Sequence, residues 1–148
     1  MLLREIDLFT MDELVNALKV LSKGKCADKH GVVLEMLAQG GDTIKHILLR
    51  KYNDVLQGGV FPSDWSELIF VMLPKSGDLR DAHNWRPVAI LDVVYKVFAK
   101  MVHKRILPYL DPQISDEQMG FRTACGVDEA LMTLECMVGA SLEWNLPL

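Results

Sequence analysis

Apolar residues recur at helical spacing along most of this chain, and one stretch breaks the rhythm. Leu14, Ala17, Leu18 and Leu21 fall on one helical face behind Thr10-Met11-Asp12-Glu13. That tetrad is a capping box: the Thr10 hydroxyl accepts from the Glu13 amide, and the Glu13 carboxylate accepts from the Thr10 amide. Phe9 and Leu14 occupy the staple positions, so a helix is expected from Met11 to Lys23, with Gly24 as its left-handed stop. A short helix is expected at Val32 to Gln39 and a longer one from Thr43 to Gln57. The latter would carry Ile44, Ile47, Leu48, Val55 and Leu56 inward until Gly58 and Gly59 end it.

The break comes next. After a turn, "VFPSDW", that offers Phe61 and Trp65 as apolar anchors, "LIFVML" is a fully apolar run bounded by turn signals and reads as a buried strand. Pro74 stops it. "WRPVAIL" can return antiparallel as a second strand, with Pro87 marking an edge or a bulge. Asp92 then caps a helix whose stripe is Val94, Val97, Phe98, Met101, Val102 and Ile106, "YLDPQIS" turns the chain, and a last helix is expected from Val127 to Leu142. The final Asn145-Leu146-Pro147-Leu148 shows no cap and reads as a truncation. These elements predict an α+β class, mostly helical, with one antiparallel β-hairpin. At 148 residues the chain has the size of one ordinary domain, and it shows no repeat or low-complexity linker.

Charge changes this picture. The net charge is −4, yet Lys75 to Arg105 holds Lys75, Arg80, Arg86, Lys96, Lys100, Lys104 and Arg105 against Asp78, Asp81 and Asp92. A cationic segment on an acidic scaffold can meet phosphate locally without general stickiness; a solvated helix face beside a charged turn is the alternative. Lys75, Arg80 and Arg86 on a hairpin tip would suit a polyphosphate, because strands fix the geometry and cations close on the charge. "SKGKCADKHG" lacks the Gly-x-x-x-x-Gly-Lys-Ser/Thr spacing, so a P-loop is rejected. Cys26, Cys125 and Cys136 form no Cys-x-x-Cys pair and read as reduced, partly buried thiols, and His30, His46, His83 and His103 are too scattered for a metal site. No apolar leader follows the opening Met1, and no apolar run reaches bilayer length, which predicts an intracellular protein with no membrane partner.

The order of motifs says more than any one of them. "FTMDELVNALKVLSKGK", "GGVFPSDWSELIFVMLPKSGD", "NWRPVAILDVVYKVFAKMVHKRI", "PYLDPQISDEQMGFR" and "LEWNLPL" together resemble the N-terminal part of a reverse transcriptase of the non-LTR (LINE-type) retrotransposon family, over nearly the whole chain. A weaker resemblance extends to group II intron reverse transcriptases. The Pro-Lys turn, Asn-x-Arg-Pro and Gln-x-Gly-Phe-Arg are the more specific stretches.

The resemblance implies a right-hand RNA-directed DNA polymerase, of which residues 1–148 would be the fingers and the start of the palm, with the rest of palm and thumb missing. It implies that Lys75 and Arg86 face the incoming deoxynucleoside triphosphate, and that Gln118, Gly120, Phe121 and Arg122 lie near the template. An aromatic ring and a guanidinium stack on nucleic acid, and glycine lets backbone approach it closely. For Arg122 an intrachain ion pair is the alternative, and Phe61, Trp65 and Trp85 read as core anchors. RNA template, DNA primer, two magnesium ions and a nuclear location are implied for the full-length parent. The paired metal ions need carboxylates that the family places beyond "LEWNLPL", so no catalytic residue is assigned and the chain alone is expected to be inactive. Asp78 and Asp81 read as a solvated turn. The chain departs from the family where Gly24-Lys25-Cys26-Ala27-Asp28-Lys29-His30-Gly31 replaces Gly-Lys-Ala-Pro-Gly-Pro-Asp-Gly, and where Ala124-Cys125-Gly126-Val127 replaces Gly-Arg-Ser-Thr. A non-catalytic nucleic-acid-binding remnant and an inactive helical domain are the alternatives.

Overall fold

The structure is a computed structural model that describes residues 7–122 and 125–147. The opening residues weighed for a leader, Ala124 in the divergent stretch, and Leu148 lie outside them. The elements run α1 (Met11–Val20), α2 (Leu34–Gln39), α3 (Gly41–Leu56), β1 (Ile69–Pro74), β2 (Trp85–Ile90), α4 (Val93–Leu110) and α5 (Val127–Trp144), with short 3-10 turns between. The strands form one antiparallel two-stranded sheet. The expected α+β class, mainly helical with one hairpin, is what folds. Two compact units result, Met1–Arg105 and Ile106–Leu148.

In the first unit the capping box forms as its residues dictate. Glu13 N donates to Thr10 Oγ1 at 3.3 Å, and Thr10 N donates to Glu13 Oε2 at 2.8 Å. The helix nevertheless ends at Val20, three residues short of Lys23, because Leu21 is already extended. Gly24 keeps its positive φ of 68°, but in a turn whose N–H donates to the Glu35 carboxylate at 2.6 Å. α3 turns inward only part of the set expected, Leu48 with Val55 and Leu56 packed against the core. Leu48 and Tyr52 are buried while Ile44 and Ile47 are exposed. Two polar contacts fix that rotation: Tyr52 Oη donates to Val94 O at 2.8 Å, and Asn53 exchanges hydrogen bonds with both backbone groups of Phe9, at 2.7 and 3.1 Å. Burial pushes the Tyr52 phenol far up, and the nearby Asp92 charge adds to the shift.

The core is an aromatic cluster set among aliphatics. Phe98 meets Phe9 edge-on at 6.0 Å and lies 5.1 Å from Trp65 and 5.6 Å from Tyr52, centroid to centroid. Trp65 is buried, as an anchor should be, and exposed Phe61 packs edge-on against it at 5.2 Å. Leu14, Leu18, Leu34, Leu37, Val93, Val97 and Met101 fill the rest. From the expected α4 stripe, Ile106 is exposed.

Two ionic knots hold this core. Asp92 caps α4 by accepting from Tyr95 N at 2.9 Å, as its position predicts. Asp28, unexpected as a structural residue, is buried and accepts from His30 N and Val32 N of its own loop and from Val93 N, the first residue of α4, at 2.9, 3.0 and 2.9 Å. Burial opposes its ionisation, but the three N–H donors outweigh burial and hold the carboxyl below its usual range. Arg105 is the second knot. Its guanidinium bonds Glu13 at 2.7 and 2.8 Å, donates to Leu8 O at 2.8 Å and also to Asp7 O, and lies 4.4 Å over the Phe9 ring. The expected cationic face of α4 therefore loses Arg105 to the scaffold.

Two further corrections concern burial. "LIFVML" forms β1 as expected, but every residue of β1 is exposed, since a two-stranded sheet has two faces and only a packed layer buries one. All three cysteines are free thiols and Cys125 is half-buried, as expected, but Cys26 and Cys136 are exposed.

Asp28→Ala should cost about 3 kcal/mol, because it strands three N–H donors around a buried position; urea unfolding measures it, and a loss under about 1 kcal/mol would mean that the knot is ornamental. Glu13 is held at about 2, from an ordinary 4.5, chiefly by its hydrogen bond to Arg105. Its folded value is depressed, so its stabilising contribution is complete above pH 4.5 and fades as pH falls through about 2. Arg105→Ala should flatten that acid limb in a pH series of thermal melts.

Candidate functional site

The site begins with the register of the hairpin. β1 pairs with β2 so that Leu73 faces Arg86 and Pro74 faces Trp85, and the ladder continues one step further where Lys75 N donates to Asn84 O at 2.7 Å. Lys75 thus lies just past the end of β1, bonded to Asn84, and Arg86 lies in β2 opposite Leu73. Both are exposed. Lys75 Nζ folds back over the loop and donates to His83 O at 3.2 Å. Arg86 has no ion-pair partner among the described residues.

The loop between the strands is built from two Asx turns in tandem. Asp78 Oδ1 accepts from Arg80 N at 3.0 Å, and Asp81 Oδ1 accepts from His83 N at 2.9 Å. The His83 backbone N–H and its ring, 2.9 Å away through Nδ1, hold the Asp81 carboxyl below its usual range. Both aspartates thus shape the turn, in keeping with their sequence reading. Trp85, read as a core anchor, is half-buried and closes the loop instead, its Nε1–H donating to Leu79 O at 3.0 Å. Around this polar tip the hairpin exposes Phe70, Val71, Met72, Leu73 and Val88.

Gln118, Gly120, Phe121 and Arg122 lie in the second unit, in the turns between a 3-10 turn at Asp111–Gln113 and α5. Gln118 Nε2 donates to Gly120 O at 3.2 Å. Arg122 takes the role given as its alternative: Nε lies 3.4 Å from Asp111 Oδ1, Nη1 donates to Ser115 O at 3.2 Å, and Nη1 sits 3.8 Å from Asp116 Oδ1. The guanidinium braces the turn, and the turn offers its neighbour. Phe121 has a left-handed φ of 63° and a fully exposed ring, a conformation uncommon for a bulky side chain. α5 runs two residues past its expected end and does have a cap: Asn145 is left-handed at φ 51°, and Leu146 N returns to Ser141 O at 3.1 Å. No α5 residue among those described is buried.

No protein-family model matches the chain. It is 32% identical over 109 residues to the 149 kDa protein of transposon TX1 from Xenopus laevis, a match that covers 74% of this chain and 8% of that one. The chain is related to retrotransposon proteins of reverse-transcriptase type. A Pol polyprotein of the type-1 retrotransposable element R2 from Popillia japonica is 33% identical over 52 residues, covering 35% of this chain and 7% of that one. A probable RNA-directed DNA polymerase of the X-element transposon from Drosophila melanogaster is 28% identical over 93 residues, covering 60% of this chain and 10% of that one. The chain therefore spans a tenth or less of the length of these relatives.

Among the described residues, no group of three or more His, Cys, Asp or Glu side chains could hold a metal ion, so the residues present do not fit the two magnesium ions implied for a full-length parent. Among the same residues, no helix is long and apolar enough to cross a membrane. Sequence reasoning gave no structural role to Asp28 or Asn84, which bond across the chain to Val93 N and across the loop to Asp78 O. Their signal was local, an Asp two residues before a turn amide in the first case and the first Asn of Asn-x-Arg-Pro in the second.

Phe121→Ala should leave stability within about 0.5 kcal/mol of the parent, because the ring buries nothing. A urea midpoint that shifts by more would mean that the ring packs in solution.

Proposed function

We propose that this chain is the fingers part, with the start of the palm, of an RNA-directed DNA polymerase of the non-LTR (LINE-type) class. Lys75 and Arg86 would contact the incoming deoxynucleoside triphosphate, and the Gln118–Arg122 turn would contact the template. The observation that carries the reading is the hairpin tip, where the side chains of Lys75, just past β1, and Arg86, in β2, are both exposed while backbone hydrogen bonds hold the chain on either side of the loop. An Arg fork and a Lys point charge suit a polyphosphate, and neither needs to move far to meet it. The exposed ring of Phe121 supplies a stacking face, and the braced Arg122 keeps it presented. In the parent, the apolar faces of the hairpin and of α5 would be covered by the rest of the polymerase. The chemical step belongs to carboxylates and magnesium ions of that parent, and this segment's share is to bind and orient.

Titration calorimetry with a deoxynucleoside triphosphate and gel shifts with an RNA oligonucleotide test this on the 148-residue chain. Lys75→Ala and Arg86→Ala should each weaken triphosphate binding and lower the slope of log K against log salt by about 1 for the contact removed. Phe121→Ala should weaken the oligonucleotide by about 1–3 kcal/mol and leave the triphosphate untouched. If neither ligand binds at low salt, the reading fails.

A further inference from the structure

The Asn-x-Arg-Pro motif contains a residue for which the nucleotide reading has no use. Asn84 meets the hairpin tip at three points. Its carbonyl accepts from Lys75 N at 2.7 Å. Its side-chain Nδ2 donates across the loop to Asp78 O at 2.8 Å. Its amide plane also lies directly beneath Gly77, where a Cβ would come within 2.9 Å of Nδ2 and 3.1 Å of Cγ and Oδ1. Gly77 has a φ of 124°, which only glycine adopts at ease, so backbone and space both demand glycine over Asn84.

We propose that Asn84 is a positioning residue, the lock that fixes the 75–84 loop and with it the placement of Lys75. The chemistry selects asparagine. The position needs a donor for the Asp78 carbonyl and a short, flat side chain that Gly77 can lie against. Aspartate has the shape but no donor, glutamine has the donor but one methylene too many, and alanine has neither. Without the lock, Lys75 keeps its charge and its exposure, but its backbone N–H and its ammonium both lose a fixed loop to bond to, since Nζ reaches His83 O one residue from Asn84. Trp85 reports on the same loop through its indole bond to Leu79 O. The lock itself is independent of any ligand; its bearing on nucleotide contact rests on the function proposed for Lys75.

Two measurements on the full 148-residue chain separate the lock from that function. Hydrogen exchange by NMR should show the Trp85 indole proton, assigned with Trp85→Phe, and the Lys75 amide exchanging about tenfold faster in Asn84→Ala and Asn84→Asp than in the parent. Gly77→Ala, which leaves Asn84 chemically intact but displaces it, should do the same. Unchanged exchange in Asn84→Asp would overturn the proposal. In the triphosphate titration, Lys75→Ala should lose its effect once Asn84 is replaced. An undiminished Lys75 effect there would overturn the positioning of Lys75. Faster exchange in the Asn84 variants, with no triphosphate bound by the unsubstituted chain, would support the lock while sinking the nucleotide reading.

Discussion

The carboxylate of Asp28 is the constraint on which the first unit depends. It draws together three backbone N–H groups, two from its own loop and one from the first residue of α4, at a position closed to water. Burial alone would raise its pKa; the three donors aimed at it bring the carboxyl below its usual range and are themselves satisfied. The consequence propagates along the chain. Val33 is extended, so α2 starts at Leu34, and α4 starts shortly after the hairpin with Val93, Val97 and Met101 in the same core as α1 and α3. One helical run further on, Arg105 closes onto Glu13 and the backbone ahead of α1. One aspartate therefore ties the 28–32 loop to the start of α4.

The hairpin follows a different logic. It draws little from the core, and its order comes from hydrogen bonds within its own tip: two Asx turns, the Asn84 amide, the Trp85 indole and the folded-back Lys75. A two-stranded sheet is at best marginal in water, so a self-bonded tip helps to keep its register while its apolar faces stay exposed. The same division of labour appears in the second unit, where Arg122 is fully engaged in bracing a turn and Phe121 beside it is engaged with nothing described.

Much of this was legible in the residues. The capping box at Thr10, the Asp92 cap, the burial of Trp65, the antiparallel pairing across the 75–84 loop and the helix from Val127 all follow from local patterns, because caps, turns and periodicity act within a few residues of one another. The motif order pointed to the reverse-transcriptase type before any geometry did. Chemistry that crosses the chain was not legible. Nothing local marks Asp28 as the acceptor for an amide 65 positions away, or Arg105 as the partner of a glutamate 92 positions earlier.

By itself, then, the sequence determined where α1, α4 and α5 begin, which stretch turns back on itself, which cations sit at its tip and which relatives share its motifs. Only the tertiary structure decided which face of α3 turns inward, that an apolar strand stays exposed, and that Arg105 and Arg122 serve the scaffold while Lys75, Arg86 and Phe121 face outward. The physical reason is the same in each case. Burial and ion pairing depend on what packs opposite a residue, and hydrophobicity along the chain carries no information about that neighbour until long-range contacts fix it.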